Sequence, residues 1–286
     1  MTTPFDAPDW RRLSREELDR GLNNSEAVTA SAEIVAGWDE RSADLRKRHA
    51  GQLDLRYGAR ERNQIDFLKA AENAPTLLFI HGGYWQMRAK EAFTLFAEGV
   101  MAHGINVALI GYTLAPEATL DQIVAEIHAG IDFLAAQLPA LGGDEHGRHK
   151  GIVASGWSAG GHLTAMALSH PFVEAGMAIS GIYDLEPIRH SYLNVKLGLD
   201  EAASRRNSPM MVEGGPMKPL SLVVGSAELP LLRRQTADFA GHRAKFGLPV
   251  TYEEIPGANH FTIMSEMASP SGRITTLIRQ LFERVI

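Results

Sequence analysis

The strongest constraint in this sequence is the regular alternation of short apolar segments with segments of helical periodicity. A strand that is apolar at every position is buried on both faces, which is typical of a parallel sheet covered by helices. The clearest helical periods are residues 120–138 and 274–285. The predicted strands are residues 53–57, 64–68, 76–80, 106–110, 151–155, 175–180, 221–224 and 250–255. The alternation predicts an α/β fold with a mostly parallel central sheet and helices on both faces.

Two segments fall outside this alternation. Residues 1–50 are polar and rich in Arg and Glu, with a capping box at Ser14 and Glu17, and predict an N-terminal arm of two helices. Residues 185–219 contain Pro, Gly and scattered aromatic residues and are too long for a plain connection, so we expect a lid-like insertion. We expect residues 1–286 to form one domain, because single α/β domains often reach about 250 residues.

The composition narrows the classes of function. The net charge is −6 at pH 7, so the chain lacks the basic excess with which proteins neutralise nucleic acid or anionic membranes. Cysteine is absent, which excludes disulfides, thiolate metal sites and thiol nucleophiles. The sequence shows neither a signal peptide nor a run of 18 apolar residues, so we expect a cytoplasmic location and no membrane partner.

A serine motif, GWSAG at residues 156–160, directly follows the strand predicted over residues 151–155. A serine on a sharp strand-to-helix turn needs small residues two positions to either side, because the backbone is crowded there. The motif therefore indicates a nucleophile at Ser158. The alternative is that Ser158 only caps a glycine-rich helix start. His162, on the helix that follows, is expected to serve packing.

A second motif, HGGYW at residues 81–85, directly follows a predicted buried strand. A glycine pair after such a strand lets the chain turn backbone N–H groups towards a carbonyl oxygen on which negative charge develops. Gly82 and Gly83 are therefore candidates for one half of an oxyanion hole, and Ala159 is the candidate for the other half. His81 is expected to shape this turn rather than to carry protons.

Two ionisable residues lie just past late strands. His260, in the segment GANHF, is placed to act as a general base towards a serine on an earlier strand. Glu228 follows the strand predicted over residues 221–224 and can orient the imidazole and stabilise its charged form. The order Ser158, Glu228, His260 is that of the α/β-hydrolases.

Weaker alternatives exist for the acid and for a metal site. Asp184 and Asp238 are alternative acids, although neither follows the penultimate strand as directly as Glu228. His146 and His149 have the spacing of a metal pair, but they lie in a polar glycine-rich segment without a third ligand nearby. A solvated loop is the preferred interpretation there, and no metal or organic cofactor is expected.

Four residues are predicted to bind substrate. Tyr84, Trp85, Tyr192 and Asn194 could line a pocket for a planar aromatic group. Because Tyr84 and Trp85 directly follow the glycine pair, we expect them to stand beside the acyl half of the site and to restrict it to small groups. The leaving-group side, near residues 191–194, is expected to be roomier. The alternative is that both aromatic side chains point into the core and leave the pocket open.

These motifs resemble those of the α/β-hydrolases, and HGGYW and GWSAG are similar to those of the kynurenine formamidase (arylformamidase) group. That group is related to the hormone-sensitive-lipase-like esterases. Two positions differ from its pattern: Glu228 stands where the group often has Asp, and Tyr84 replaces the third glycine of the esterase loop. The resemblance extends through LSREELDRGLNN, LRYGARERNQIDF, GWSAGGHLTAMAL, SGIYDLEPIRHSYLNVKLGLD and VVGSAELPLLRRQT.

The resemblance implies a serine hydrolase with a Ser-His-Glu triad that removes a small acyl group, preferably formyl, from an aryl amide such as N-formylkynurenine. A short-chain carboxylesterase is the alternative, and a non-catalytic ligand-binding protein of this fold is a third interpretation. The expected partner is a small amide or ester, without nucleic acid. The sequence leaves open whether the protein forms a homodimer.

Overall fold

Eight strands form one sheet in the computed structural model, which describes residues 8–49, 52–141 and 151–285. The sheet order is β1-β2-β4-β3-β5-β6-β7-β8, in which β2 pairs antiparallel with β1 and β4 and all other pairs are parallel. The predicted α/β fold with a mostly parallel sheet is confirmed. The strands are β1 Leu55–Arg56, β2 Gln64–Leu68, β3 Thr76–Ile80, β4 Asn106–Ile110, β5 Ile152–Trp157, β6 Val173–Ile179, β7 Leu220–Gly225 and β8 Val250–Ile255.

The first strand is shorter than the sequence predicts. A strand was expected over residues 53–57, but β1 has two residues. Asp54 adopts a left-handed conformation with φ 58°, and its N–H donates to Asp66 Oδ1 at 2.8 Å instead of to a neighbouring strand. The extended backbone therefore cannot continue through Asp54.

Helices cover both faces of the sheet, and none within the described ranges is long and apolar enough to cross a membrane. Successive side chains of β3 point to opposite faces, with Leu78 and Ile80 in one hydrophobic cluster and Leu77 and Phe79 in the other. The first cluster packs against α1, α5, α6 and α10, and the second against α3, α4 and α12. The α-helices are α1 Arg15–Leu22, α2 Asn24–Ala27, α3 Ser31–Arg48, α4 Ala97–Met101, α5 Leu120–Leu141, α6 Ala159–Ala167, α7 Glu186–Arg189, α8 Asn194–Leu197, α9 Glu201–Arg206, α10 Pro230–Lys245, α11 Ser265–Ala268 and α12 Arg273–Val285.

The N-terminal arm contains three α-helices in its described part instead of the two that were expected. The capping box is present, since Ser14 Oγ accepts from Glu17 N–H and the Glu17 carboxylate accepts from Ser14 N–H. Asn23 ends α1, and its side chain accepts from Glu26 N–H, so it also starts the short helix α2. A side chain that caps the next helix thus divides the segment.

The lid-like insertion consists of α7, α8, α9 and a 3-10 turn over Pro209–Met211. It is joined to the rest of the molecule by backbone groups: Gln86 Nε2 donates to Leu193 O at 2.8 Å, and Tyr192 N–H donates to Asp19 Oδ1 at 2.8 Å. The second of these bonds connects the insertion to α1 of the N-terminal arm.

We predict that Trp38→Ala lowers the free energy of unfolding by about 3–5 kcal/mol, because it leaves a large cavity in an aromatic cluster. Trp38 on α3 is buried and contacts Phe96 and Trp157 edge to face, with ring centroids 5.0 and 5.4 Å apart. Denaturation in urea measures the change, with Val195→Ala at an 85% exposed position as the control. A loss below about 1 kcal/mol would show that α3 is not part of the folded core.

Candidate active site

Ser158 occupies a sharp turn between β5, which ends at Trp157, and α6, which begins at Ala159. Its backbone has φ 58° and its N–H donates to Ile179 O at 2.8 Å. A Cβ at Gly156 or Gly160 would collide with the Ile80 carbonyl, so both positions require glycine. Ser158 makes no capping bond to α6 through its side chain. The alternative interpretation as a helix cap is therefore wrong.

The Ser158 side chain lies at one end of a chain of hydrogen bonds. His260 Nε2 is 3.1 Å from Ser158 Oγ, and His260 Nδ1 is 2.7 Å from Glu228 Oε2. All three residues are buried. Glu228 Oε2 serves as an acceptor here, so we assign the imidazole hydrogen to Nδ1, which leaves Nε2 to accept a proton from the serine.

The second oxygen of the Glu228 carboxylate is held by two donors. Ser180 Oγ donates to Glu228 Oε1 at 2.6 Å, and Gly225 N–H donates to the same atom at 2.7 Å. Ser180 lies at the end of β6 in the left-handed region, with φ 51°. Sequence reasoning missed Ser180, although its place just past a buried strand is the signal that pointed to Glu228 and His260.

Neither alternative acid lies beside His260. Asp184 Oδ1 accepts from Glu186 N–H at 3.0 Å and so caps a local turn. Asp238 pairs with Arg234 on α10 at 2.7 Å. Glu228 is the carboxylate that the fold brings to the imidazole.

Trp157 is a further residue that sequence reasoning missed. Its Nε1 donates to His260 O at 2.8 Å, and its ring centroid lies 4.7 Å from that of His260. The ring also contacts Trp38, which links α3 of the arm to the histidine loop. The signal was its position directly before the serine, where the side chain necessarily lies near the end of the sheet.

The glycine pair of HGGYW lies next to the serine turn. A Cβ at Gly82 would be 2.7 Å from Trp157 O, and Gly83 has φ 116°, where a side chain would be strained. Gly83 and Ser158 line the same cavity. Ala159 is the first residue of α6, so its N–H is among those without a partner in the helix. Their joint role as an oxyanion hole stays a prediction.

The cavity at Ser158 has a volume of about 260 Å³, and the N-terminal arm supplies six of its fourteen lining residues. Its lining residues come from α2, α3, the glycine loop, the serine turn and the histidine loop. They are Asn24, Ser25, Ser31, Ala32, Val35, Trp38, Gly83, Tyr84, Met87, Arg88, Trp157, Ser158, His260 and Phe261. We expected the insertion over residues 185–219 to form a wall, but the arm occupies that place because the apolar side of α3 packs over the end of the sheet.

Two of the four residues predicted to bind substrate, Trp85 and Asn194, are not among the residues that line the cavity. Trp85 is fully buried and its Nε1 donates to His162 Nδ1 at 3.2 Å, so it belongs to the core and not to the cavity. Asn194 Nδ2 donates to the carbonyl oxygens of Arg189 and Leu199, and Asn194 Oδ1 accepts from Leu199 N–H. Its amide therefore holds the insertion together.

The two tyrosines lie close to each other at the arm. Tyr84 lines the cavity, and its hydroxyl contacts Leu22 and Asn24 of the arm. Burial raises the pKa of Tyr192, and the neighbouring Tyr84 hydroxyl contributes to that shift. Tyr192 is 36% exposed, and its backbone N–H donates to Asp19 on α1 of the arm.

His81 and His162 are buried structural residues. Burial lowers the pKa of each to about 4. His81 stacks on Tyr112 and its Nδ1 lies 2.8 Å from Gly82 O. His162 Nε2 lies 2.7 Å from Asn207 O, so this imidazole links the helix after the serine to the lid-like insertion. It has a polar bridging role beyond the packing role that was expected.

Candidate metal ligands occur away from Ser158. His146 and His149 lie outside the described residues. In the described ranges, the carboxylates of Asp54, Asp66 and Glu91 converge, but Lys90 Nζ contacts all three at 2.6–2.8 Å. The ammonium group satisfies this acidic cluster.

Comparisons with known proteins agree with this geometry. A family model described as BD-FAE matches residues 67–174. Curated proteins named kynurenine formamidase are similar over nearly the whole chain: that of Salmo salar is 27% identical over 95% of this chain and 98% of its own length. That of Danio rerio is 24% identical over 96% and 98%. The chain has the α/β-hydrolase fold and is similar to these kynurenine formamidases over nearly its full length.

A solved structure supports the same assignment. A candidate thioesterase from Silicibacter sp. tm1040 superposes with a TM-score of 0.83 at 25% identity, covering 92% of this chain and 99% of that one. Together with the full-length similarity to kynurenine formamidases, this shows the α/β-hydrolase fold, and the protein is a hydrolase of formamide or ester bonds.

We predict that the free energy of unfolding falls as the pH is lowered from about 6.5 towards 4, and that His162→Gln weakens this dependence. The pKa of His162 is lower in the folded state than in the unfolded chain, so the unfolded state binds the extra proton and acid favours it. The slope contributed is at most about 1.4 kcal/mol per pH unit.

Urea denaturation of both proteins at pH 7.5, 6, 5 and 4.5 measures this slope. The glutamine amide can accept from Trp85 and donate to Asn207, so the comparison at pH 7.5 isolates the cost of the changed packing. Equal slopes for the two proteins would contradict the neutral, buried state of His162.

Proposed function

We propose that this α/β-hydrolase cleaves the formyl–nitrogen bond of an aryl formamide such as N-formylkynurenine. The observation that carries the proposal is a pair of hydrogen bonds: His260 Nδ1–H donates to Glu228 Oε2 at 2.7 Å, and Ser158 Oγ–H donates to His260 Nε2 at 3.1 Å. Serine, histidine and carboxylate in this connection form a nucleophilic triad. The full-length similarity to curated kynurenine formamidases and the small cavity support the choice of substrate.

Acylation begins at Ser158. His260 Nε2 takes the hydroxyl proton while Ser158 Oγ attacks the formyl carbon, and the Glu228 carboxylate stabilises the imidazolium that forms. The tetrahedral intermediate collapses when His260 returns the proton to the leaving nitrogen. The carbon–nitrogen bond breaks, the aryl amine leaves, and a formyl ester remains on Ser158.

Deacylation repeats these steps with water. His260 removes a proton from the attacking water, whose oxygen bonds to the formyl carbon, and then protonates Ser158 Oγ as the ester bond breaks. Formate leaves and the triad returns to its first state. Backbone N–H groups of Gly83 and Ala159, with Gly82 shaping the loop, hold the oxyanion in both halves of the reaction.

Hydrolysis of a short-chain carboxylic ester is the second candidate. The triad acts on the carbonyl carbon and does not itself distinguish a nitrogen from an oxygen leaving group. The similar structure from Silicibacter is described as a candidate thioesterase, which supports activity on ester-like bonds.

We predict that kcat/KM is highest for formyl substrates and falls steeply from p-nitrophenyl acetate to the octanoate. The cavity is small, and Trp38 and Phe261 wall it without the space that a long acyl chain needs. Each methylene forced against a packed wall costs about 1–3 kcal/mol. The side-by-side measurement uses N-formylkynurenine, p-nitrophenyl acetate and p-nitrophenyl octanoate.

The kcat/KM values for these three substrates, together with labelling of Ser158 by a fluorophosphonate, separate the candidate functions. A higher kcat/KM for acetate than for N-formylkynurenine would favour the short-chain esterase. Equal values for acetate and octanoate would contradict a small acyl site. Failure of a fluorophosphonate to label Ser158 would favour a ligand-binding protein without catalysis.

We predict that Glu228→Gln lowers kcat by about a hundred- to ten-thousandfold, because the amide keeps a hydrogen bond but loses the negative charge that stabilises the imidazolium. Asp238→Asn, which removes a surface partner of Arg234, is the matched control and should change kcat less than about twofold. Ser158→Ala defines the background rate. A larger loss of kcat in the Asp238 variant than in the Glu228 variant would show that Glu228 is not the acid of the triad.

A further inference from the structure

Asn24, the first residue of α2, has an unusual position in the cavity wall. Its residue exposure is 5%, and it lines the same cavity as Ser158 and His260. Its backbone N–H and its side-chain Nδ2 both lie near one atom, Tyr84 Oη, at 3.2 and 3.0 Å. Asn24 thus brings a polar side chain of the arm into the reaction cavity.

The hydrogen bonds of Tyr84 determine which way the Asn24 amide points. The Tyr84 hydroxyl has one hydrogen and donates it to Leu22 O at 2.7 Å. Burial raises the pKa of Tyr84, so the hydroxyl keeps that hydrogen at neutral pH. Tyr84 Oη can only accept from Asn24, and the amide nitrogen must face it. The amide oxygen therefore faces away from Tyr84.

Asn24 Oδ1 is buried and has no hydrogen-bond partner among the described residues. Two donors of the cavity wall have other partners: Ser31 Oγ donates to Ser25 O at 2.9 Å, and the Arg88 guanidinium pairs with Asp39. A buried acceptor without a donor is unfavourable, and a bound ligand that supplies an N–H removes that cost.

We propose that Asn24 Oδ1 accepts a hydrogen bond from the N–H of the scissile amide and is a specificity-determining residue for amides over esters. This inference rests on the proposed function. An ester has an acceptor oxygen in place of the N–H, which would face the Asn24 oxygen without a hydrogen between them. A site built for a donor discriminates strongly against an analogue that lacks it.

The same hydrogen bond assists the departure of the amine. When His260 protonates the leaving nitrogen, that nitrogen becomes positively charged and its N–H becomes a stronger donor. The bond to Asn24 Oδ1 therefore strengthens as the carbon–nitrogen bond breaks, and such an interaction raises kcat as well as binding. Esters gain nothing from it, because their leaving oxygen has no hydrogen before His260 protonates it.

The test compares formanilide with phenyl formate, which differ in N–H against O at the scissile position. We expect Asn24→Leu to lower kcat/KM for formanilide by about 10- to 100-fold and that for phenyl formate by less than about 3-fold. Asn23→Leu is the matched control, since Asn23 caps α2 but does not line the cavity. It should leave the ratio of the two kcat/KM values unchanged.

Equal fold-losses on both substrates, which leave the ratio of the two kcat/KM values unchanged, would overturn the inference and indicate a structural role for Asn24. Thermal unfolding of each variant shows whether the arm is still folded. Asn24→Ala removes the same oxygen with less bulk and takes the place of the leucine variant if that variant does not fold. Asn24→Asp keeps an oxygen there and should retain more of the amide preference than Asn24→Leu.

The failure of the proposed function has a different signature. A wild-type enzyme that hydrolyses phenyl formate but not formanilide is an esterase, which contradicts the proposed formamidase. Formanilide is then tested as a competitive inhibitor of phenyl formate hydrolysis. A Ki that rises about tenfold in Asn24→Leu supports the hydrogen bond, and an unchanged Ki overturns it. Turnover of neither substrate refutes both proposals.

Discussion

The close approach of the serine turn to the end of β3 is the constraint on which the rest of the site depends. The backbones of Gly156 and Gly160 lie so near the Ile80 carbonyl that neither position has room for a Cβ. This contact places the serine turn against the glycine loop that continues β3. Ser158, the candidate nucleophile, and the candidate oxyanion donors are therefore positioned by backbone packing, independently of the side chains of the proposed triad.

A second set of contacts joins the arm to His260. Trp38 of α3 packs against Trp157. The Trp157 ring in turn lies beside the His260 ring, tilted against it, and Trp157 Nε1 donates to the His260 carbonyl. The arm thus supplies both a wall of the cavity and support for His260, the proposed general base. At the other side of the cavity, the Tyr84 hydroxyl holds the α1–α2 junction and orients the Asn24 amide.

Individual residues of the site show what a local sequence pattern can and cannot predict. Strand–turn–helix context pointed to Ser158, Glu228 and His260 because parallel strands end at one edge of the sheet, where short loops bring their residues together. Trp85 was assigned to the pocket from its distance along the chain to the glycines. The left-handed backbone of Tyr84 and Trp85 turns the indole towards His162 in the core, and no sequence period encodes that turn.

The sequence by itself determined the α/β class, the number and approximate positions of the strands, the glycine positions and the order of the candidate triad, because these depend on apolar periodicity and on steric limits within a few residues. Tertiary structure alone decided that the arm and not the lid-like insertion walls the cavity. It also decided that Ser180 holds Glu228 and that the Asn24 oxygen has no donor within residues 8–49, 52–141 and 151–285. These features depend on contacts between segments that are distant in the chain, and a local pattern carries no information on which segment covers which.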